Sequence, residues 1–152
     1  SNDFDLTESF DFKSLVIQRE FDPALGPVPG IANELEQVLL NLLKNAAQAI
    51  HQRDDESLPG QITLRTKLAP PWVEVQVEDN GIGMPESVRK RIFEPFFTTK
   101  EVGQGTGLGL SVSYFIITNN HKGQMEVQSK PGQGTCFTLR LPLPAAPTHS
   151  GL

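Results

Sequence analysis

Two asparagines, one aspartate and an alternating run of glycines carry the chemistry legible in this chain. Asn41 and Asn45 stand four apart in NLLKNAAQAI, so a helix there sets both amides on one stripe. Two neutral carbonyl oxygens side by side suit a hard cation already held by phosphates, where Mg²⁺ takes few protein ligands. The stripe includes Glu34, Gln48 and Gln52 and equally fits a polar face turned to water. Asp79 ends WVEVQVED in phase with Val73, Val75 and Val77. In a regular strand its carboxylate therefore heads for the apolar side. A buried carboxylate needs a donor. An adenine amino group is one, with Gly81 and Gly83 leaving room for a flat base. The backbone of the Asn80-Gly81 turn is another.

Gly103, Gly105, Gly107 and Gly109 alternate just before an apolar helical pattern. Such a loop brings backbone close to a ligand, and a helix start supplies free N–H groups for phosphate. The run lacks the Lys-Ser/Thr of a P-loop and the Gly-x-Gly-x-x-Gly of a dinucleotide site. On its own it fits a phosphate cradle or a plain surface loop. Phe93, Phe96 and Phe97 crowd around Pro95 in a segment without period. That density fits either ordinary core or a lid that docks a partner.

These groups must be held by a compact frame. The chain has 152 residues, 38% hydrophobic and 20% charged, the balance of one globular domain. A net charge of −5 argues against nucleic acid as partner. Arg89, Lys90, Arg91 and Lys100 cluster locally, as a solvated face or as compensation for an anionic ligand. Apolar runs fall short of the ~18 residues of a membrane span, and no signal peptide opens the chain. A lone cysteine, Cys136, and three histidines point away from a disulfide or zinc site and toward a reducing compartment.

SLVIQREF reads as a strand and DPALGPVPG as a loop. Asn33 to about Gln52 reads as a helix, with an Asn33/Glu36 start signal and Leu35, Leu39, Leu43, Ala46 and Ile50 on one face. QITLRTKL and WVEVQVED read as antiparallel strands joined through Ala69-Pro70-Pro71. Pro85 suits the first turn of a short helix toward Ile92. Leu110–Asn120 reads as one helix, and QMEVQS with TCFTLRLP as a hairpin. The expected fold is α+β: a two-layer sandwich with a mixed, mostly antiparallel sheet on about three helices. The expected divisions are a flexible lead-in over 1–14, a domain over 15–142, and a disordered tail over 143–152.

In this order, Asn41/Asn45, DNGIG, FEPFF and GTGLGL resemble the four boxes of the histidine-kinase ATP-binding domain. That is the GHKL or Bergerat fold, shared with type II topoisomerase, Hsp90 and MutL ATPases. NLLKNAAQAI, FEPFFTTK and SVSYFII are most similar to nitrogen-regulatory and PAS-linked sensor kinases. The resemblance runs from about Leu15 to Leu141 and implies ATP and Mg²⁺ as ligands. It makes Asn45 the Mg²⁺ ligand, with Asn41 beside the phosphates. It makes Asp79 the reader of the adenine amino group. Gly81, Gly83 and Met84 become the base-pocket wall, and Thr135 a hydroxyl near the adenine. Phe93, Phe96 and Phe97 become a partner-docking F box. Gly105, Thr106, Gly107, Leu108, Gly109 and Leu110 become the phosphate lid, with Glu101–Gly107 ordered when the γ-phosphate is bound. Lys44 and Lys100 are candidates to meet phosphate charge, and Asn41, Asn45 and Lys100 form the catalytic set.

Two positions depart from the pattern. Gln48 stands where many sensor kinases have a basic residue, and Ile31 where an acidic residue often precedes the helix. The related ATPases carry a water-activating glutamate at the place of Asn41. Neutral asparagine is no general base, so the resemblance implies phosphoryl transfer rather than hydrolysis. The implied acceptor is a histidine on a separate dimerisation domain, with a response regulator downstream. The implied parent is a homodimer, with this domain cytoplasmic and making no direct membrane contact. His51, His121 and His149 lack the acceptor's helical, acid-followed setting, so no self-phosphorylation is expected. The alternatives are a GHKL ATPase, an anti-sigma-type serine kinase, or a degenerate nucleotide-binding scaffold.

Overall fold

The computed structural model describes residues 15–54, 57–97 and 109–144. Its strands are β1 (Leu15–Glu20), β2 (Gly60–Ala69), β3 (Trp72–Asp79), β4 (Gln124–Ser129) and β5 (Thr135–Pro142). They form one sheet in the order β1-β2-β3-β5-β4. β1 runs parallel to β2 and the other pairs are antiparallel. A parallel neighbour needs a crossover, and the helix α1 (Ala32–His51) supplies it. The other helices are the short α2 (Glu86–Arg89) and α3 (Gly109–Phe115), which runs on as a π-helical turn over Ile116–Asn120. The α+β sandwich with a mixed sheet is the expected fold.

The strand register gathers the site at one end of the sheet. Asp79 stands opposite Ile62 on one side and Thr135 on the other, and Thr135 stands opposite Ser129. The inner face buries Ile62, Val73, Val77, Phe137 and Leu139 against Val38 and Leu42 of α1 and Ile117. Each such side chain contributes about 1.5–3 kcal/mol. The outer face is charged. Arg65 bridges Glu20 and Glu78, and Arg140 bridges Glu74 and Glu126. Partly exposed pairs of this kind are worth ~0–1 kcal/mol, so the inner face holds the layers together.

Several local expectations are corrected. α1 starts at Ala32 with Ile31 as N-cap and no side-chain cap, so Asn33 and Glu36 form no capping box. The Ile31 N–H is instead accepted by His121 Nε2 at 2.9 Å. The fully buried line of α1 is Val38, Leu42, Ala46 and Ile50, a four-residue stride that lies along the sheet. Leu35 and Leu39 shift to the flank, where they wall an apolar cavity of about 390 Å³. Pro85 is the N-cap of α2 rather than part of its first turn. The helix expected over Leu110–Asn120 widens after Phe115. There the His121 N–H reaches back five residues to Ile116 O at 3.1 Å. That turn buries Ile116 and Ile117 and brings Asn120 onto the Glu34 carboxylate at 3.2 Å.

Candidate functional site

Asp79 closes β3 on the inner face and is 4% exposed. The Gly81 N–H donates to its Oδ1 at 2.8 Å. Burial pushes its pKa up to about 6, against the pull of the Gly81 and Thr135 backbone N–H groups and with a small push from Glu78. Both sequence readings thus hold together: the carboxylate is buried among valines, and it also caps its own turn. Its charged form is poorly compensated, the condition in which a further donor is most welcome.

Thr135 is buried beside it, with Oγ1 2.8 Å from Ser129 Oγ. Ser129 donates its only hydrogen to Gly134 O at 3.0 Å and accepts the Met84 N–H at 2.8 Å. Thr135 must therefore donate to Ser129, which leaves its own lone pairs to accept. Met84 is thereby fixed at its backbone and packs against the core.

Gly81 and Gly83 serve the site differently from the expectation that they leave room for a base. A Cβ on Gly81 would lie 2.6 Å from the Ala49 backbone. One on Gly83, whose φ is +70°, would lie 1.9 Å from Lys130 O. These glycines let the turn press against α1 and the β4–β5 loop. The Ile82 N–H seals the first contact on Ala49 O at 3.1 Å.

Asn41, Lys44 and Asn45 are half-buried on α1. Asn41 Nδ2 donates to Gly109 O at 3.2 Å and to Ser113 Oγ at 3.0 Å, so α1 is tied to the first turn of α3. Leu110 packs against the core. Gln48 Oε1 is buried with no partner among the described residues, at a cost of about 1–3 kcal/mol. Lys100, Gly105, Thr106, Gly107 and Leu108 lie outside the described residues, as does the expected lid over Glu101–Gly107.

The phenylalanines divide between both readings. Phe93 packs inward, stacked on Tyr114 at 4.7 Å and edge-on to Phe137 at 6.2 Å. Phe97 lies under the Arg91 guanidinium at 4.6 Å. Phe96 is 72% exposed, with φ at +65°, a conformation that strains a bulky residue.

The frame and this constellation match known proteins. The family model described as histidine kinase-, DNA gyrase B-, and HSP90-like ATPase matches residues 30–145, from α1 through β5. The chain belongs to that family. Relatives of this ATPase-family domain include the signal transduction histidine-protein kinase AtoS of Escherichia coli, 46% identical over 125 residues. That match covers 82% of this chain and 19% of AtoS. The sensory histidine kinase/phosphatase NtrB of Vibrio alginolyticus is 36% identical, over 91% of this chain and 40% of NtrB. The chain thus spans less than half the length of these relatives. The catalytic domain of histidine kinase ThkA superposes with a TM-score of 0.73 at 29% identity, covering 93% of this chain and 88% of that one. Full-length ShkA in complex with AMPPNP gives 0.75 at 25% identity, over 97% of this chain and 29% of ShkA.

Sequence reasoning about this ATPase-family domain missed three polar residues. Asn80 stitches the turn to β2, accepting the Gln61 N–H at 2.8 Å and donating to Pro59 O at 3.0 Å. Its Asn-Gly setting was the available signal. Ser129 and Ser113 gave none, because the partners that matter to the site, Met84 and Asn41, lie 45 and 72 residues away.

Proposed function

We propose that residues 15–142 form a Mg·ATP-binding unit that delivers the γ-phosphoryl group to a histidine imidazole on a separate dimerisation domain. The observation that carries this is Asn41. It is a neutral amide hydrogen-bonded through Nδ2 to Gly109 O and Ser113 Oγ, so it cannot take a proton from water. The donor set fits the nucleotide and metal. Asn41 and Asn45 offer amide oxygens, Asp79 a buried acceptor, and Gln48 Oε1 a buried acceptor in want of a donor.

Asp79 orients the base by accepting its amino group, and Thr135 supports it with its free lone pairs. Asn45 holds the metal, and Asn41 lies beside the phosphates. Lys44 and Lys100 meet phosphate charge, and Gly105–Leu110 cover it. Mg²⁺ when bound would neutralise phosphate charge. The protein's share is positioning and exclusion of water. Neutral imidazole is already nucleophilic, so no strong base is needed on this chain.

The partners of this reading are the domain bearing the acceptor histidine, docked against exposed Phe96, and a downstream response regulator. The parent is a homodimeric sensor kinase with this domain in the cytoplasm. Among the described residues no helix is long and apolar enough to cross a membrane. The kinase names of AtoS and NtrB support this reading. The test supplies γ-labelled ATP to this chain with and without a separately expressed acceptor domain. Label should enter only the acceptor's histidine. Sustained phosphate release by this chain alone, or label in His51, His121 or His149, would overturn it.

A further inference from the structure

The hydrogen bonds between α1 and α3 form a closed set with one consequence for the ligand end. Gly109 O can only accept, so the Asn41 atom facing it at 3.2 Å is the amide nitrogen. This fixes an orientation that the shape of the side chain alone would leave ambiguous. Ser113 is completely buried, and its hydroxyl donates to the same carbonyl at 2.8 Å. Having spent its hydrogen, Ser113 Oγ accepts the second Asn41 hydrogen at 3.0 Å. Both hydrogens of the amide are thereby committed. Oδ1 lies on the other edge, beside the bare Cα of Gly109, where an added Cβ would stand 3.9 Å from it.

We propose that Ser113 is a positioning residue that locks the Asn41 amide so that Oδ1, not the NH₂ group, is presented to the metal–phosphate end of the nucleotide. This rests on the proposed Mg·ATP reading, in which the phosphate-held cation lies beside the Asn41/Asn45 pair. Asparagine χ2 is broad and roughly two-fold, so an unrestrained amide samples both faces. The NH₂ face would oppose a cation. Gly109 O alone holds one hydrogen of the amide. Ser113 engages the second and aligns the carbonyl through its own donated bond.

The experiment compares the full chain with Ser113→Ala, Ser113→Cys, Asn41→Ala and the Asn41→Ala/Ser113→Ala pair. Mg·ATP and adenosine are titrated by calorimetry, and the Asn41 side-chain NH₂ is followed by NMR. Loss of one hydrogen bond predicts roughly a five- to tenfold weaker Mg·ATP affinity for Ser113→Ala, with adenosine unchanged. The Asn41 NH₂ protons should exchange faster with water. Ser113→Cys keeps the volume but hydrogen-bonds weakly, so it should resemble alanine, and it serves if the alanine variant does not fold. Ser113→Ala should add no further loss once Asn41 is alanine. Restored affinity in Ser113→Cys, or additive losses in the pair, would show a packing role and refute the proposal. Wild-type affinity in Asn41→Ala would instead remove the reading on which it rests.

Discussion

Replacing Asp79 with asparagine separates the site's cost in stability from its value in binding. The carboxylate sits at a pKa of about 6, against an ordinary 3.8, chiefly because it is buried. A folded-state value above the unfolded one means that the native protein holds this proton more tightly. That stabilisation is full below pH 3.8 and is lost as pH rises through about 6. The whole loss is roughly 3 kcal/mol. Between about pH 4.5 and pH 7.5 it comes to roughly 2 kcal/mol. Asparagine keeps an acceptor for the Gly81 N–H and cannot ionise. Its stability relative to wild type should therefore climb by that amount over the interval. Urea unfolding at the two pH values measures the climb, and its dependence on pH cancels constant effects of the new amide. In parallel, losing a charged acceptor for the adenine amino group should weaken ATP binding by about 10- to 100-fold. A stability difference independent of pH would refute the burial argument. Unchanged ATP affinity by calorimetry would refute the placing of the adenine.

Other residues give shorter tests. Gln48→Leu removes the orphaned buried oxygen, so the ligand-free protein should gain about 1 kcal/mol while Mg·ATP binds more weakly. Thermal unfolding with and without nucleotide reads both, and a lower melting temperature without ligand would count against it. Gly83→Ala should cost more than about 3 kcal/mol, because its Cβ would strike Lys130 O in a left-handed backbone; a shift under 1 kcal/mol in chemical denaturation would contradict the packing. Phe96→Gly should relieve left-handed strain and stabilise by about 1 kcal/mol, leave ATP affinity alone, and slow transfer to an added acceptor domain. Undiminished transfer would remove Phe96 from the docking surface.

Asp79 was legible in the sequence because strand alternation is local: three valines in phase fix which way the fourth side chain points. The order of the boxes carried the family in the same way, since each motif is a short contiguous stretch of sequence. The N-terminus of α1 was illegible because its partner, His121, comes 90 residues later. A capping rule reads only neighbours, and the Ile31 N–H found an imidazole instead. The glycines of DNGIG were recognisable as necessary, but their reason was not. Sequence marks a missing side chain without saying whether ligand or backbone fills the space. Here Ala49 and Lys130 fill it.

The clamp at the start of α1 bears on where phosphate can go. His121 accepts the Ile31 N–H on Nε2, and Nδ1 lies 2.9 Å from Ile116 O, a carbonyl that can only receive a proton. The ring is therefore held as a single tautomer whose one basic lone pair is already occupied. To attack a phosphoryl group it would have to release the first turn of α1, the helix that carries Asn41 and Asn45. Under the proposed transfer to a separate imidazole, His121 is thus itself a poor acceptor, and its modification would undo the start of the helix that carries Asn41 and Asn45.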